Sequence, residues 1–226
     1  MADFIRSQAI VLRRTNYGEA DRILSLITPA GQFSAIAKGV LKSKSKLAGG
    51  VEMLSLSDLV LVHGRGEMKT VTSARLVQFF DKILTDYDRL SFAYLVLKQV
   101  ERASREIDGA MWFEIVKDVL SALDQPEVDF DLIQAWFYLR LSSELGETLN
   151  LVSDANGAPL SVDAAYNYDY ENRCLRMARL GKINSDHVKL MRLLLSSSLS
   201  IALRVKDVAA VSGAVLQVAR AHAALN

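Results

Sequence analysis

Four lysines separated by small, apolar or hydroxyl residues stand between two predicted strands in the first third of the chain. They are Lys38, Lys42, Lys44 and Lys46, in a segment that also contains Ser43 and Ser45. Phosphate oxygens accept hydrogen bonds from both ammonium groups and hydroxyls. This spacing suits equally a loop that contacts a nucleic-acid backbone and a solvated loop that protects a sheet edge.

Other basic residues lie near the ends of neighbouring predicted strands, and they are Arg13, Arg14, Arg65 and Lys69. If these strands close into a barrel, several of the cations can line one side of it. A barrel with a basic groove is a common way of holding a single strand of nucleic acid. Tyr17 and Phe33 are the well-placed aromatic residues of this segment, so we expect contacts with the nucleic-acid backbone to outweigh contacts with bases.

The net charge of +1 conceals an asymmetry along the chain. Residues 1–80 carry 11 lysines and arginines against 6 acidic residues, whereas the rest of the chain carries 16 against 20. Such a division of charge suggests that the N-terminal part meets a polyanion.

A catalytic or metal-binding constellation is hard to assemble from this sequence. His63, His187 and His222 are far apart and have no metal-ligand spacing, and no nucleophile elbow, phosphate-binding loop or dinucleotide fingerprint is present. The single cysteine, Cys174, excludes an internal disulfide and any site with several thiolate ligands. The sequence therefore predicts a protein that is not an enzyme and that uses no metal or cofactor.

Composition limits the class of protein further. The chain has 226 residues, half of them hydrophobic and 23% charged, which suits one large or two small globular domains. No apolar run approaches the ~20 residues of a membrane-spanning helix, and the N-terminus does not resemble a signal peptide. We expect a cytoplasmic, nucleoid-associated protein without membrane contact.

Residues 7–80 have the short, turn-separated apolar segments of β-strands. Five strands are predicted, at about 8–13, 22–28, 32–37, 51–62 and 69–72, with a tight hairpin at 63–66. Five strands without a long helix suit a small barrel that closes its own edges. The fold class is therefore α+β, with a five-stranded barrel preceding a helical region.

After residue 80 the apolar period becomes helical. Helices are predicted at about 87–107, 111–123, 131–145, 185–204 and 207–224, the last with Asp207 as a possible N-cap. We therefore predict a nucleic-acid-binding domain at 1–80 and a helical domain at 81–226.

An irregular insert at about 149–180 interrupts the helices. Within it Tyr166, Tyr168 and Tyr170 alternate like a short strand. A half-buried strand packed on the helical domain is the favoured interpretation, and base stacking by these tyrosines is the alternative.

Several segments of the barrel region are similar to those of a known family, namely 9–14, 17–24, 31–33, 37–40 with the lysine- and serine-rich segment that follows, and 64–70. Together they resemble the start of the RecO family of bacterial recombination mediators. Over the helices the best match is Trp136–Leu141 followed by Leu145 and Gly146. In length and domain order the resemblance covers the whole chain.

The resemblance implies an N-terminal OB-fold, a helical domain and a small inserted subdomain. It also implies binding of single- and double-stranded DNA, annealing of complementary strands, and partnership with RecR and with the C-terminal tail of the single-stranded DNA-binding protein (SSB). The pathway it implies is the loading of RecA onto SSB-coated DNA. Many members carry four zinc-binding cysteines in the insert, whereas this chain has only Cys174 there and therefore resembles the zinc-free branch.

Two other functions compete with this reading of the sequence. OB-fold barrels also hold RNA, so an RNA- or ribosome-associated protein is the first alternative. A protein-interaction scaffold with a merely solubilising lysine loop is the second. Arg140 and Arg204, on leucine-rich helices, are guesses for the SSB-tail site, and an ordinary salt bridge explains either equally well.

Overall fold

The computed structural model describes residues 4–63 and 68–224. Arg65 and most of the hairpin predicted at 63–66 lie outside the described residues. The chain divides into two compact units, Met1–Pro126 and Glu127–Asn226. The domain boundary predicted at residue 80 stays a prediction. The first compact unit ends later, at Pro126, because it also contains the two helices that follow the barrel.

The first unit contains a closed five-stranded barrel, as predicted. Its strands are β1 (Phe4–Tyr17), β2 (Asp21–Thr28), β3 (Gly31–Ala37), β4 (Ser55–His63) and β5 (Lys69–Phe79). They follow one another around the barrel in the order β1-β2-β3-β5-β4. All neighbours are antiparallel except β3 and β5, whose parallel pairing joins Ala35 to Lys69 and Ile36 to Thr70. This Greek-key arrangement confirms the predicted OB-fold.

β1 is longer than the strand predicted at about 8–13 because it pairs with two neighbouring strands. Its first half pairs with β4 and its second half with β2, so polar residues up to Tyr17 also have backbone partners. The barrel interior is filled by alternate apolar residues of the strands. They include Ala9, Val11, Leu24, Leu26, Ala35, Ala37, Leu59, Leu61 and Val71.

The prediction that a strand starts at residue 51 was wrong, since β4 begins at Ser55. Leu54 has φ 56°, in the left-handed region, which interrupts an extended chain. A 3₁₀ turn at Ala48–Gly50 precedes it, and a Cβ on Gly50 would lie 2.7 Å from the backbone of Ala74. Only glycine allows the turn to approach β5 this closely.

Two helices complete the first unit. α1 (Tyr87–Glu106) and α2 (Met111–Leu123) follow a 3₁₀ turn at Asp81–Thr85. Asp86 caps α1, because its carboxylate accepts hydrogen bonds from the backbone N–H groups of Asp88 and Arg89. α1 packs against β1 and β3, and α2 packs against β1 and β2. One outer face of the barrel is therefore covered.

The second unit is a helical assembly with a small sheet. Its elements are α3 (Phe130–Glu144), β6 (Tyr166–Asp169), β7 (Cys174–Met177), α4 (Ser185–Ser196), α5 (Leu199–Ala202) and α6 (Ala209–Ala223). α3 packs against both α4 and α6, and β6 pairs antiparallel with β7. No helix in the described part of the chain is long and apolar enough to cross a membrane.

The single helix predicted over 185–204 is broken into α4 and α5. Ser197 is extended, and its carbonyl accepts hydrogen bonds from Trp136 Nε1 at 3.0 Å and from Arg140 Nη2 at 3.1 Å. Because these two donors on α3 bind the Ser197 carbonyl, it is not part of the hydrogen-bond pattern of a continuous helix. The possible cap at Asp207 was also wrong: Asp207 has φ 58°, and α6 begins after Val208 without a side-chain cap.

The insert packs on the helices as predicted. Tyr166 is fully buried, and its hydroxyl accepts a hydrogen bond from the backbone N–H of Ser161. The Tyr168 hydroxyl lies 3.0 Å from Nδ1 of His222 on α6. Tyr170 differs from both, since it is 75% exposed.

Candidate nucleic-acid interface

The lysine loop, residues 38–46, leaves the barrel beside the turn that joins β1 to β2. The backbone N–H of Gly39 donates to the Asp21 carboxylate at 2.7 Å, and that of Leu41 donates to the Ala20 carbonyl at 2.9 Å. Gly39 has φ 66°, a conformation that glycine adopts without strain. The sequence places a glycine where the chain must turn out of β3.

The lysine loop is built from turns rather than from extended chain. The N–H of Lys42 donates to the carbonyl of Gly39, and that of Ser45 donates to the carbonyl of Lys42. Val40 is buried and Leu47 packs against the barrel core, so apolar anchors stand at both ends. The loop backbone is thus fixed to the barrel while its lysine side chains are exposed.

All four lysines of this loop are exposed. Lys38, Lys42, Lys44 and Lys46 form no ion pair with any residue that the structure describes. Ammonium groups without an internal counter-ion are available to phosphates, and their release of counter-ions drives binding. The four predicted lysines therefore lie exposed on one loop of the barrel.

Arg14 lies at the same end of the barrel but has an internal partner. Its guanidinium bonds to the Glu52 carboxylate, and Arg22 Nη1 bonds to the other oxygen of that carboxylate at 2.9 Å. Arg22 pairs with Ala37 in the sheet, and Ala37 is the residue directly before Lys38. Burial, and then the charge of Arg14, lower the pKa of Arg22. Glu52 therefore neutralises part of the positive field beside the lysine loop.

The sequence reasoning missed Arg22 and Glu52. They are 30 residues apart and carry no local signal, and only the closing of the barrel brings them into contact. Arg22 also donates from Nε to the side chain of Asn16 on β1. The three residues Arg14, Arg22 and Glu52 form what we call the Glu52 clamp.

Arg13 is not brought to the lysine loop. Its Nε donates to the Glu101 carboxylate of α1 at 2.7 Å, and Arg105 binds the same oxygen at 2.6 Å. A β-bulge between Val11 and Arg13 pairs Arg13 with Ser25, whose neighbours Leu24 and Leu26 face the barrel interior. Arg13 therefore faces α1, and its role in nucleic-acid binding stays a prediction.

Lys69 lies where β5 closes the barrel against β3. It pairs with Ala35, and its Nζ stands 4.2 Å from the ring centroid of Phe33, a cation–π geometry. Phe33 and Lys38 are five positions apart along the chain, which is about 17 Å in a strand. Lys69 is therefore on the same strand pair as the root of the lysine loop. Arg65, predicted to act with it, is outside the described residues.

Tyr17 supplies an aromatic side chain next to the lysine loop. It ends β1, pairs with Asp21, and is 57% exposed. Asp21 also receives the N–H of Gly39, so one carboxylate connects the turn that carries Tyr17 to the loop. A base can stack on such a ring while the neighbouring lysines hold phosphates. Phe33, by contrast, is partly buried against the barrel core.

Two of the three histidines have structural partners. His187 forms a capping box with Asn184 at the start of α4, and His222 is buried between Tyr168 and the carbonyl of Glu147. His63 is exposed at the end of β4. Among the described residues, no three His, Cys, Asp or Glu side chains are grouped as metal ligands.

Comparisons with known proteins give the chain a family. The model of the recombination protein O N-terminal domain matches residues 1–80, and that of the recombination protein O C-terminal domain matches residues 84–223. The chain is also similar to proteins named DNA repair protein RecO. That of Heliobacterium modesticaldum is 39% identical over 160 residues, which are 70% of this chain and 57% of the relative.

Two further relatives carry the same name. The protein of Roseiflexus sp. is 33% identical over 142 residues, covering 62% of this chain and 50% of the relative. The protein of Alkaliphilus metalliredigens is 33% identical over 151 residues, covering 66% and 61%. The chain thus spans little more than half the length of these curated relatives. With both family models matched in order along nearly its whole length, the chain belongs to the RecO family.

Proposed function

We propose that this chain is a DNA-binding recombination mediator that anneals complementary single strands and catalyses no reaction. The observation that carries the proposal is the cluster of four exposed lysines, without ion-pair partners among the described residues, on an OB-fold barrel. Its relatives are named DNA repair proteins, a name that denotes no catalytic activity.

Binding by this surface is mainly electrostatic. The lysine loop and Lys69 present cations, whereas Tyr17 is the exposed aromatic residue beside them. Lysine contacts with phosphates carry no sequence information. The proposal therefore predicts similar affinities for strands of different sequence, and either single- or double-stranded DNA can be bound.

Annealing follows from the same cations. Two complementary strands repel each other through their phosphates, and a basic surface that neutralises both lowers this repulsion. Because contacts with the backbone outweigh contacts with bases, most base edges stay free to pair. A protein that gripped the bases tightly would instead hold the strands apart.

The partners proposed for this mediator come from the family. They are RecR, the C-terminal tail of SSB, and RecA as the protein loaded onto the DNA at the nucleoid. Of the two arginines considered for the SSB tail, Arg140 is held by the Ser197 carbonyl and lies 5.5 Å from the Trp136 ring centroid. Arg204 is exposed and has no ion pair with a described residue, so it is the better candidate of the two.

The test is strand annealing by the purified chain without nucleotide, followed over a range of salt concentrations. Each phosphate neutralised on a single strand contributes about 0.7 to the slope of log affinity against log salt, so four to six contacts give a slope near −3 to −4. A slope near zero, or strong discrimination among sequences, contradicts the proposal. Tighter binding to RNA than to DNA of equal length supports the RNA-associated alternative instead.

A further inference from the structure

The insert, the two residues Lys182 and Ile183 that follow it, and α6 line an open cavity of about 320 Å³ in the second unit. Its walls include Asn167, Tyr168, Tyr170, Lys182, Gln217 and Val218. This volume is at the lower end of the range for small-molecule sites in proteins. None of the residues that line the cavity is acidic.

One wall of the cavity is aromatic. The rings of Tyr168 and Tyr170 are 5.3 Å apart between centroids and nearly perpendicular, at 85°. Tyr168 is fixed in place by its hydrogen bond to His222. Tyr170 is 75% exposed, and its hydroxyl has no hydrogen-bond partner in the described part of the chain. The Tyr170 ring therefore packs on the fixed Tyr168 ring, while much of the Tyr170 surface is exposed to water.

A second part of the cavity lining is fixed by backbone contacts. Tyr166 and Ile183 exchange two backbone hydrogen bonds, at 2.8 and 2.9 Å. A Cβ on Gly181 would lie 2.4 Å from the nitrogen of Tyr166, so only glycine allows this approach. The N–H of Lys182 donates to Oδ1 of Asn167 at 3.1 Å. Lys182 is thus placed beside the cavity, and a preformed wall lowers the entropic cost of binding.

The polar groups at the cavity are free to bind a ligand. The Asn167 amide uses its oxygen for Lys182 and keeps its NH₂ donors, and the Gln217 amide has no partner among residues 4–63 and 68–224. Lys182 is exposed and forms no ion pair with a described residue. Amides match the edges of nucleobases, and an ammonium group matches a phosphate.

We propose that this cavity binds one nucleotide of a DNA single strand, with the base against Tyr170 and its phosphate near Lys182. This inference rests on the proposed function, since it adds a second contact to a chain already taken to bind DNA. An aromatic ring, unpaired amides and a lone ammonium group together suit a planar heterocycle joined to an anion. A purely apolar ligand would leave both the amides and the ammonium group without a partner.

The test compares two oligonucleotides of equal length and charge, oligo(dT) and a strand of abasic sites. Stacking on one aromatic ring is large enough for Tyr170→Ala to weaken oligo(dT) binding about tenfold. Tyr170→Ala should leave binding of the abasic strand unchanged, because no phosphate contact is lost. Tyr170→Phe keeps the ring and should bind oligo(dT) within about twofold of the parent chain.

Lys182→Ala provides an independent measurement. It should lower the salt slope by about 0.7 for both strands, whereas Tyr170→Ala should leave the slope unchanged. Both side chains are exposed, so the variants are expected to keep the parent's melting temperature.

The outcomes separate the two proposals. A Tyr170→Ala chain that binds oligo(dT) like the parent overturns the cavity assignment and leaves the proposed function standing. Equal weakening on the abasic strand also overturns it, since the loss would not come from a base. A parent chain that binds neither strand overturns the proposed function and this inference with it.

Discussion

At the scale of single residues, the charge of a side chain matters less than the partner it has in the folded barrel. Arg13 and Arg14 are adjacent in sequence, yet one binds Glu101 of α1 and the other binds Glu52. The lysines of the loop have no such counter-ion among the described residues. We therefore expect the lysines, more than the two arginines, to account for the salt dependence of DNA binding.

The first prediction concerns Lys42, Lys44 and Lys46. Replacing all three by alanine should change the free energy of unfolding by less than about 0.5 kcal/mol, because their side chains are exposed. If each contacts a phosphate, the salt slope should fall by roughly 2 and annealing should fall with it. Fluorescence anisotropy at several salt concentrations and an annealing assay measure both effects.

A charge-matched control distinguishes a local contact from a general effect of charge. Lys82, Lys98 and Lys206 are also exposed and lie outside the lysine loop. Their triple alanine variant loses the same three charges and should keep most of the parent's slope. Equal slopes for the two triple variants would show that the lysine loop is only a solubilising device.

The second prediction concerns the Glu52 clamp. Glu52→Gln removes the carboxylate charge that Arg14 and Arg22 share, so the barrel surface beside the lysine loop becomes more positive. DNA affinity at low salt should rise, and the salt slope should steepen by about 0.7 for each guanidinium that gains a phosphate. The clamp is partly exposed, so its loss should cost only about 1 kcal/mol of stability.

Asp58→Asn is the matched control for this variant. Asp58 pairs with Arg75, another partly exposed ion pair on the strands β4 and β5. The control gains the same charge away from the lysine loop. If both variants gain affinity equally, the end of the barrel at the Glu52 clamp is not part of the DNA path.

At the scale of elements, the insert is joined to α6 by a buried histidine. His222 Nδ1 lies 3.0 Å from the Tyr168 hydroxyl, and its Nε2 lies 2.6 Å from the Glu147 carbonyl. The neutral ring satisfies both partners when Nε2 carries the proton and Nδ1 accepts from the tyrosine. Burial lowers the pKa of His222 below its ordinary value.

The third prediction is a loss of stability in mild acid. Because the pKa of His222 is lower in the folded than in the unfolded chain, the unfolded state binds more protons as pH falls below about 6.5. Stability should therefore decrease from pH 7 towards the folded pKa. Melting temperatures measured between pH 7.5 and 5 report this decrease.

His222→Gln should flatten part of this pH dependence while lowering stability at pH 7. Burial also lowers the pKa of His187, so the remaining slope should come from that residue. His63→Gln is the control, because His63 is exposed at the end of β4. An unchanged pH dependence in His222→Gln would contradict the assignment to this histidine.

At the scale of the whole molecule, both units are held by packing and hydrogen bonds of their own residues. The insert has Tyr166 in its core, two strands paired over four residues, and the His222 contact to α6. Cys174 is a half-buried free thiol whose pKa is raised, first by burial and then by the charge of Asp169. The buried Tyr166, the strand pair and the His222 contact therefore explain how the insert is stabilised in a chain with one cysteine.

The fourth prediction is that the chain folds without metal. Protein purified without chelators should contain no stoichiometric zinc, and its melting temperature should not change with excess EDTA. Elemental analysis and a thermal melt measure the two quantities. One equivalent of tightly held zinc, or a lower melting temperature in chelator, would reveal a site that involves residues beyond those described.

The sequence by itself determined the types of most elements and the exposed basic loop. Apolar residues with period two predicted the barrel strands, and helical spacing predicted α1, α2 and α3 to within one residue at each end. The lysine spacing indicated an exposed basic loop, because lysines favour water wherever the chain turns. These features depend on local patterns, and local patterns are present before the chain folds.

Only the tertiary structure decided which cations are available to a ligand. One extra residue at the bulge in β1 sends Arg13 towards α1, and the closing of the barrel brings Glu52 to Arg14 and Arg22. The break between α4 and α5 likewise depends on donors that are 57 and 61 residues away. Charge pairing acts through space over a few ångströms, so it is fixed by register and closure and cannot be read from spacing along the chain.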